Sequence, residues 1–226
     1  MMTGSDLSHW TPRPLPGTEP IAGRHVTVEP IVDETRFAEL FAVFEGHDRL
    51  WDYLAYGPFE TQDAFASFAV GTYLGPDPLF HAIVPTGSQR AEGVAALMRL
   101  DPANGVGEIG HICLGPSLQM TRAASEAFYL LFRRLFDELG YRRLEWKCND
   151  ANAPSKRAAD RLGFRFEGLF RQHMVTKGRN RDTAWYAILD GEWPQVRAGF
   201  EAWLDDGNFD GDGRQRRSLA ECRARP

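Results

Sequence analysis

EIGHICLGPSLQMTRAASEAFYLLFRRLFDELGYRRLEWKC, running from Glu108 to Cys148, decides the fold. Its first seven residues, Glu108 to Leu114, read as a strand. Pro116 to Gln119 then lead into a helix over Thr121–Leu139. Phe128, Leu131, Phe132, Leu135, Phe136 and Leu139 line one side of it, and Arg133, Arg134, Asp137 and Glu138 the other. Gly140 closes it. Arg143 to Cys148 alternates strictly, with Leu144, Trp146 and Cys148 opposite Arg143, Glu145 and Lys147, which is the pattern of a half-buried strand. Strand, loop, long helix and strand in this order make a crossover unit.

Upstream, Leu79 to Val84 and Gly93 to Leu100 read as strands joined by the turn residues Pro85 to Gly87. Thr61 opens a helix with Phe65, Phe68, Ala69 and Tyr73 on one side. Asp33 is set to cap another, with Phe37, Leu40, Phe41 and Phe44 at helical spacing and Gly46 at its end. His25 to Ile31 alternates as a strand, and Leu50 to Pro58 is aromatic and irregular. Pro12, Pro14, Pro16 and Pro20 make residues 1–22 an extended arm, with Trp10 as its anchor. Downstream, a short helix around Ser155 to Leu162 ends at Gly163. Phe164 to Val175 and Asp182 to Leu189 read as strands about the turn KGRNR, and Trp193 to Leu204 as a terminal amphipathic helix. From Asp205 onward, five acids and five arginines among polar residues read as a loose tail. The chain therefore reads as one α/β (α+β) domain over 23–204, with an arm at 1–22 and a polar tail at 205–226.

Of the 226 residues, 43% are hydrophobic and 25% charged, which excludes wholesale disorder. Lys and Arg total 26 against 31 Asp and Glu, a net charge of −5 that argues against nucleic acid as a partner. That charge is compatible with a cationic ligand but decides nothing about it. Cys113, Cys148 and Cys222 have no paired spacing, so they read as reduced thiols of a cytoplasmic protein with no metal site. No apolar run approaches the ~18 residues of a membrane span. MMTGSDLSHW lacks a charged stretch followed by an apolar core, so no signal peptide is expected.

A helix start offers unpaired N–H groups and a partial positive charge, which suit phosphate. Here it is SLQMTRAAS, where Ala123 and Ala124 let a ligand approach the backbone; a plain cap at Thr121 is the other reading. The strand EIGHICLGP, the loop QMTRAA, the stretch NAPSKRAADRLGFRFEG and the closing HMVTKGRNRDTAWYAILDGEWP together resemble the GNAT superfamily of N-acetyltransferases. They are most similar to its ribosomal-protein N-acetyltransferase (RimJ/RimL-like) branch, and with GRHVTVEPI the likeness covers roughly residues 23–195. The resemblance implies a mostly antiparallel, twisted sheet with a V-shaped splay that holds acetyl-CoA as cosubstrate. It implies that the backbone of Gln119, Met120, Thr121, Arg122, Ala123 and Ala124 wraps the diphosphate. It further implies that Ile112, Cys113 and Leu114 bond the pantetheine arm, as does Asn152. The family pattern has glycine where Arg122 stands; Arg there would be strained in a left-handed backbone, or would add a cation beside the diphosphate.

The activity implied is acetyl transfer to a primary amine of a small molecule or a protein N-terminus, by direct attack in a ternary complex. By resemblance Glu108, eleven residues before Gln119, is the proton acceptor for the amine. His111 is the competing base; three residues on, it needs a bulge, which the resemblance implies, to reach the same side. Ser155 stands where the family donates a proton to the departing thiolate, although Asn152 and Ser155 also read as a helix cap and its first turn. Trp51, Tyr53, Tyr56 and Phe59 line either the acceptor site or the core. Arg179, Arg181 and Asp182 read as a surface ion group more than as acceptor contacts. A non-catalytic acyl-CoA-binding protein and a protein–protein module stay open beside the enzyme, and a homodimer is compatible with all three.

Overall fold

Stretches of period two become strands, and stretches with helical spacing become helices. In the computed structural model, which describes residues 6–224, the first half runs β1 (Ile21–Ala22), β2 (Val26–Pro30), α1 (Phe37–Phe44), α2 (Gln62–Tyr73), β3 (Leu79–Pro85), β4 (Gly93–Asp101) and β5 (Val106–Leu114). The second half runs α3 (Arg122–Arg133), β6 (Arg143–Asn149), α4 (Ala153–Leu162), β7 (Arg165–Thr176), β8 (Arg179–Leu189), α5 (Trp193–Leu204) and α6 (Leu219–Arg223). The eight strands form one open sheet in the order β1-β2-β3-β4-β5-β6-β8-β7. Every neighbouring pair is antiparallel except β5 and β6, which the α3 crossover makes parallel.

Each face of the sheet has its own core. On one, Phe128, Phe132 and Leu135 from the α3 region meet Leu144 and Trp146 of β6, with Ala159 of α4, Phe200 of α5 and Leu219 of α6. On the other, Phe37, Leu40 and Phe44 of α1 and Phe65 and Tyr73 of α2 cover Phe80, Ala82 and Val94.

Several sequence expectations are corrected. Asp33 does not cap α1: its carboxylate accepts from the Thr35 N–H at 2.9 Å, an Asx turn ahead of the helix, and Arg36 holds the cap position without a side-chain bond. The long helix keeps α geometry only to Arg133, and a wider π turn over Arg134–Glu138 completes it. The loose tail is not loose. Leu219 and Cys222 bury one side of α6, Asn208 is buried, and the Trp203 indole donates to Gln215 Oε1 at 2.8 Å. Polar composition concealed a short apolar pair at i, i+3 that one exposed helix face can seat. The arm runs along the β4–β5 turn, where the Trp10 indole donates to the Ala103 carbonyl at 2.7 Å.

Buried Glu126 ties the crossover helix to the sheet. Its carboxylate accepts the backbone N–H groups of Arg24 (2.9 Å) and His25 (2.6 Å) as the chain enters β2. A Cβ on Gly23 would lie 2.7 Å from that carboxylate carbon, so the close approach needs glycine. Glu126→Ala leaves two amides without an acceptor, and stability should fall by on the order of 2–3 kcal/mol, read as a lowered urea midpoint at unchanged slope.

Candidate active site

The parallel strands pair for four residues only: Val106–Ile109 lie opposite Arg143–Trp146. Beyond that point β5 stays on β4 as far as Leu114, and β6 stays on β8 as far as Asn149, so the sheet opens into a V. A bulge sits where the strands part. Gly110 lies opposite Ala96 but Cys113 lies opposite Val94, so β5 carries one extra residue, and His111 takes a φ of 50°. The bulge puts the His111 side chain on the same face as Glu108, which an ideal strand would not.

The inner edge of β5 leads toward the start of α3. Gln119 Nε2 donates to the Leu114 carbonyl at 2.9 Å and ties the loop to that edge. Ile112 and Leu114 pack toward the α3 core, while Cys113 is buried in the α1/α2 core, where burial pushes its thiol up to about 12. Thr121 caps α3 by accepting the Ala124 N–H at 3.1 Å. The Arg122 and Ala123 amides donate to no acceptor among the described residues, so they form an N–H pair at the helix start. Met120, not Arg122, has the left-handed backbone, with a φ of 60° and a side chain pointing into solvent. The cation expected beside the diphosphate is committed elsewhere. The Arg122 guanidinium donates to the Leu204 carbonyl (2.9 Å) and Asp206 (2.8 Å) and lies over the Phe209 ring.

On the other arm of the V, Asn152 caps α4 and accepts the Ser155 N–H at 3.1 Å. Ser155 Oγ accepts the Trp146 indole N–H at 3.0 Å, which leaves its own proton to be donated, with the Cys148 thiol as a neighbour. Of the neighbouring cations, Lys156 pairs with Asp150 at 2.8 Å and Arg157 is exposed.

The α1/α2 side of the V is lined by charge and aromatic rings. Glu108 is buried, and its Oε2 meets both Lys147 Nζ (2.8 Å) and Arg99 Nη1 (3.0 Å). A second bulge, in β4, gives Arg99 a φ of 48° and brings it to Glu108. Lys147 also meets Glu145 at 2.7 Å and lies 3.9 Å above the Trp185 ring. His111 stacks on Tyr56, and its Nδ1 is 3.0 Å from the Tyr56 hydroxyl. Burial first, and the Arg99 charge second, hold the imidazole below its ordinary 6.5. Of the aromatic group, Trp51 is core and Phe59 packs against it, while the exposed Tyr53 donates to the Ala151 carbonyl at 3.1 Å. Lys177, at the β7–β8 turn, donates to the carbonyls of Trp51 (2.8 Å) and Gly57 (2.9 Å) and fastens that hairpin to the aromatic loop.

A split parallel pair beside unpaired amides at a helix start is a distinctive geometry, and the fold that carries it has known relatives. Residues 25–165 match the family model described as acetyltransferase (GNAT) domain. The chain belongs to the GNAT acetyltransferase family. A GCN5-related N-acetyltransferase from Brucella melitensis is 47% identical, with a TM-score of 0.94 over 96% of this chain and 99% of that one. An uncharacterized N-acetyltransferase of Bacillus subtilis (strain 168), YnaD, is 34% identical over 86 residues, 38% of this chain and 50% of that protein. The chain thus spans about half the length of the curated relatives it matches. A ribosomal L7/L12 α-N-protein acetyltransferase, RimL, solved with coenzyme A, is 22% identical with a TM-score of 0.65 over 76% of this chain and 98% of that one, a likeness of fold alone.

Within this GNAT domain the structure brings Glu108 and His111 to one face and sets Asn152 and Ser155 across the V from the α3 start. Arg99, Lys147 and Trp185 were missed. Alternation put Lys147 on the polar face of its strand, but no pattern in one strand tells which polar face another element covers. Glu108→Gln removes the charge that two cations share. Stability should fall by roughly 1–3 kcal/mol, measured by chemical denaturation, even in the absence of any ligand.

Proposed function

We propose that this GNAT domain transfers an acetyl group from acetyl-CoA to a primary amine by direct attack, within one ternary complex. The observation that carries the reading is the V between β5 and β6, with the unpaired Arg122 and Ala123 amides at its mouth. Acetyl-CoA supplies the acetyl group as a reactive thioester. The N–H pair at the start of α3 suits its diphosphate, and the inner edge of β5 its pantetheine arm. Ser155 donates its hydroxyl proton toward the thiolate side, held in place by the Trp146 indole. Asn152 keeps α4 in register as its cap. Three buried, unbridged cysteines suit a cytoplasmic setting. The closing hairpin and the NAPSKRAADRLGF stretch fit the RimJ/RimL-like branch.

For the proton of the attacking amine, His111 is the better base than Glu108. One oxygen of Glu108 is already held by Lys147 and Arg99, so its role is to fix those cations. His111 keeps its ring neutral at neutral pH, and in the tautomer that donates Nδ1–H to the Tyr56 oxygen its Nε2 is a free acceptor.

Two outcomes test this. Ala123→Asp puts a negative charge at the N–H pair on a partly exposed residue, and calorimetry should show acetyl-CoA affinity falling at least about tenfold at an unchanged melting temperature. Equal affinity in the folded variant would remove the α3 start from the site. His111→Gln should lower kcat/KM by ~10²–10⁴. The pH profile carries the sign: both the free amine and neutral His111 are needed, so the logarithm of kcat/KM should rise with a slope near two below the depressed imidazole pKa and near one above it. In the variant the slope should stay near one throughout. A wild-type profile with a single slope would rule out His111 as the base.

A further inference from the structure

Arg181 is a half-buried cation with no counter-ion. It lies on β8, on the face that carries Thr183 and Trp185, near Glu108 and Arg99. Among the described residues its guanidinium makes no hydrogen bond and no ion pair, and its Nε is sealed from solvent without an acceptor. Burial is the main influence on it, depressing its pKa. The neighbouring charges do not explain it. Arg99 and Lys147 are matched by Glu108 and Glu145, and Arg143 is matched by Glu167. Asp182, the adjacent acid, falls on the opposite face of β8, where it accepts the Gln172 N–H (2.7 Å) and Asn180 Nδ2 (2.9 Å). One positive charge is therefore left over on the α1/α2 side of the V. Burying a guanidinium without a partner is unfavourable unless something meets it.

Aromatic rings line the same side of the V. Phe170 stacks on Trp185 at 4.5 Å, and Tyr56 faces His111 on the β5 side. Arginine matches a carboxylate through two parallel N–H bonds, which lysine cannot reproduce.

We propose that the acceptor is an amine that also carries a carboxylate, and that Arg181 binds that carboxylate while the amine faces His111. The inference rests on the acetyl-transfer reading and narrows it: amino acids and short peptides with a free carboxylate fit, and polycationic amines do not.

The test uses acceptor pairs that differ only in the carboxylate: tyrosine and tyramine, lysine and cadaverine, and a dipeptide with its amide. Acetyl-CoA turnover by the wild-type chain should favour the carboxylate member by at least about tenfold in kcat/KM. Arg181→Gln should erase that preference at unchanged acetyl-CoA affinity and a melting temperature no lower than the wild type's, and Arg181→Lys should restore part of it. Equal turnover of both members, or a preference that survives Arg181→Gln, overturns the proposal and leaves acetyl transfer standing. Calorimetry with N-acetyltyrosine and N-acetyltyramine, in the presence of coenzyme A, separates the two readings. Carboxylate-selective binding that requires Arg181, with no amine turned over, supports the carboxylate site and overturns acetyl transfer. Neither selective binding nor turnover overturns both.

Discussion

Everything in the centre of this molecule depends on two parallel strands that stop pairing after four residues. Had β5 and β6 continued in register, their N–H and C=O groups would have satisfied one another, and the sheet would have closed. The extra residue at His111 re-aims β5 at that point. The sheet remains whole because β4 and β8 hold the outer edges of the diverging strands. The gap is thus supported from both sides, and the backbone edge inside it is kept in place by elements that never enter it.

Two different chemistries meet across that gap. On the α3/α4 side are short side chains and backbone donors: Thr121, Ala123, Asn152 and Ser155. On the α1/α2 side are rings and charges, nearly all of them already matched. Glu108, Lys147, Glu145 and Arg143 form a chain of ion pairs around the point of divergence. Such a chain costs desolvation, and its return is fixed geometry more than net stability. It also decides which carboxylate is unsuited to proton transfer.

The elements were legible in the sequence wherever their period was clean. Leu144, Trp146 and Cys148 alternate without a break, and Phe128 through Leu139 keep the helical spacing, so strand, helix and strand could be read directly. Thr121 and Asn152 showed as caps because the cap is a local bond. The bulge could not be derived from the pattern around His111, since one inserted residue leaves composition unchanged. It was expected only through the family likeness. Partners distant in sequence were illegible altogether. Nothing near Arg122 announces Asp206, because such a pair is decided by the packing of whole elements, and Arg99 reaches Glu108 only through a bulge that composition does not show. Leu219 and Cys222 were lost in a charged segment for a different reason: two apolar residues are too few to set a period.

The bond from Arg122 to Leu204 and Asp206 has a consequence for the order of events during folding. The start of α3 leaves the ribosome well before the residues that hold its first arginine. Until the end of α5 emerges, that guanidinium sits beside the exposed helix start with no anchor, free to attract any passing anion. The arginine therefore reaches its final place late, when α5 docks and withdraws it. A nascent chain and a finished one would present differently charged surfaces at the same helix start, although their local sequence is identical.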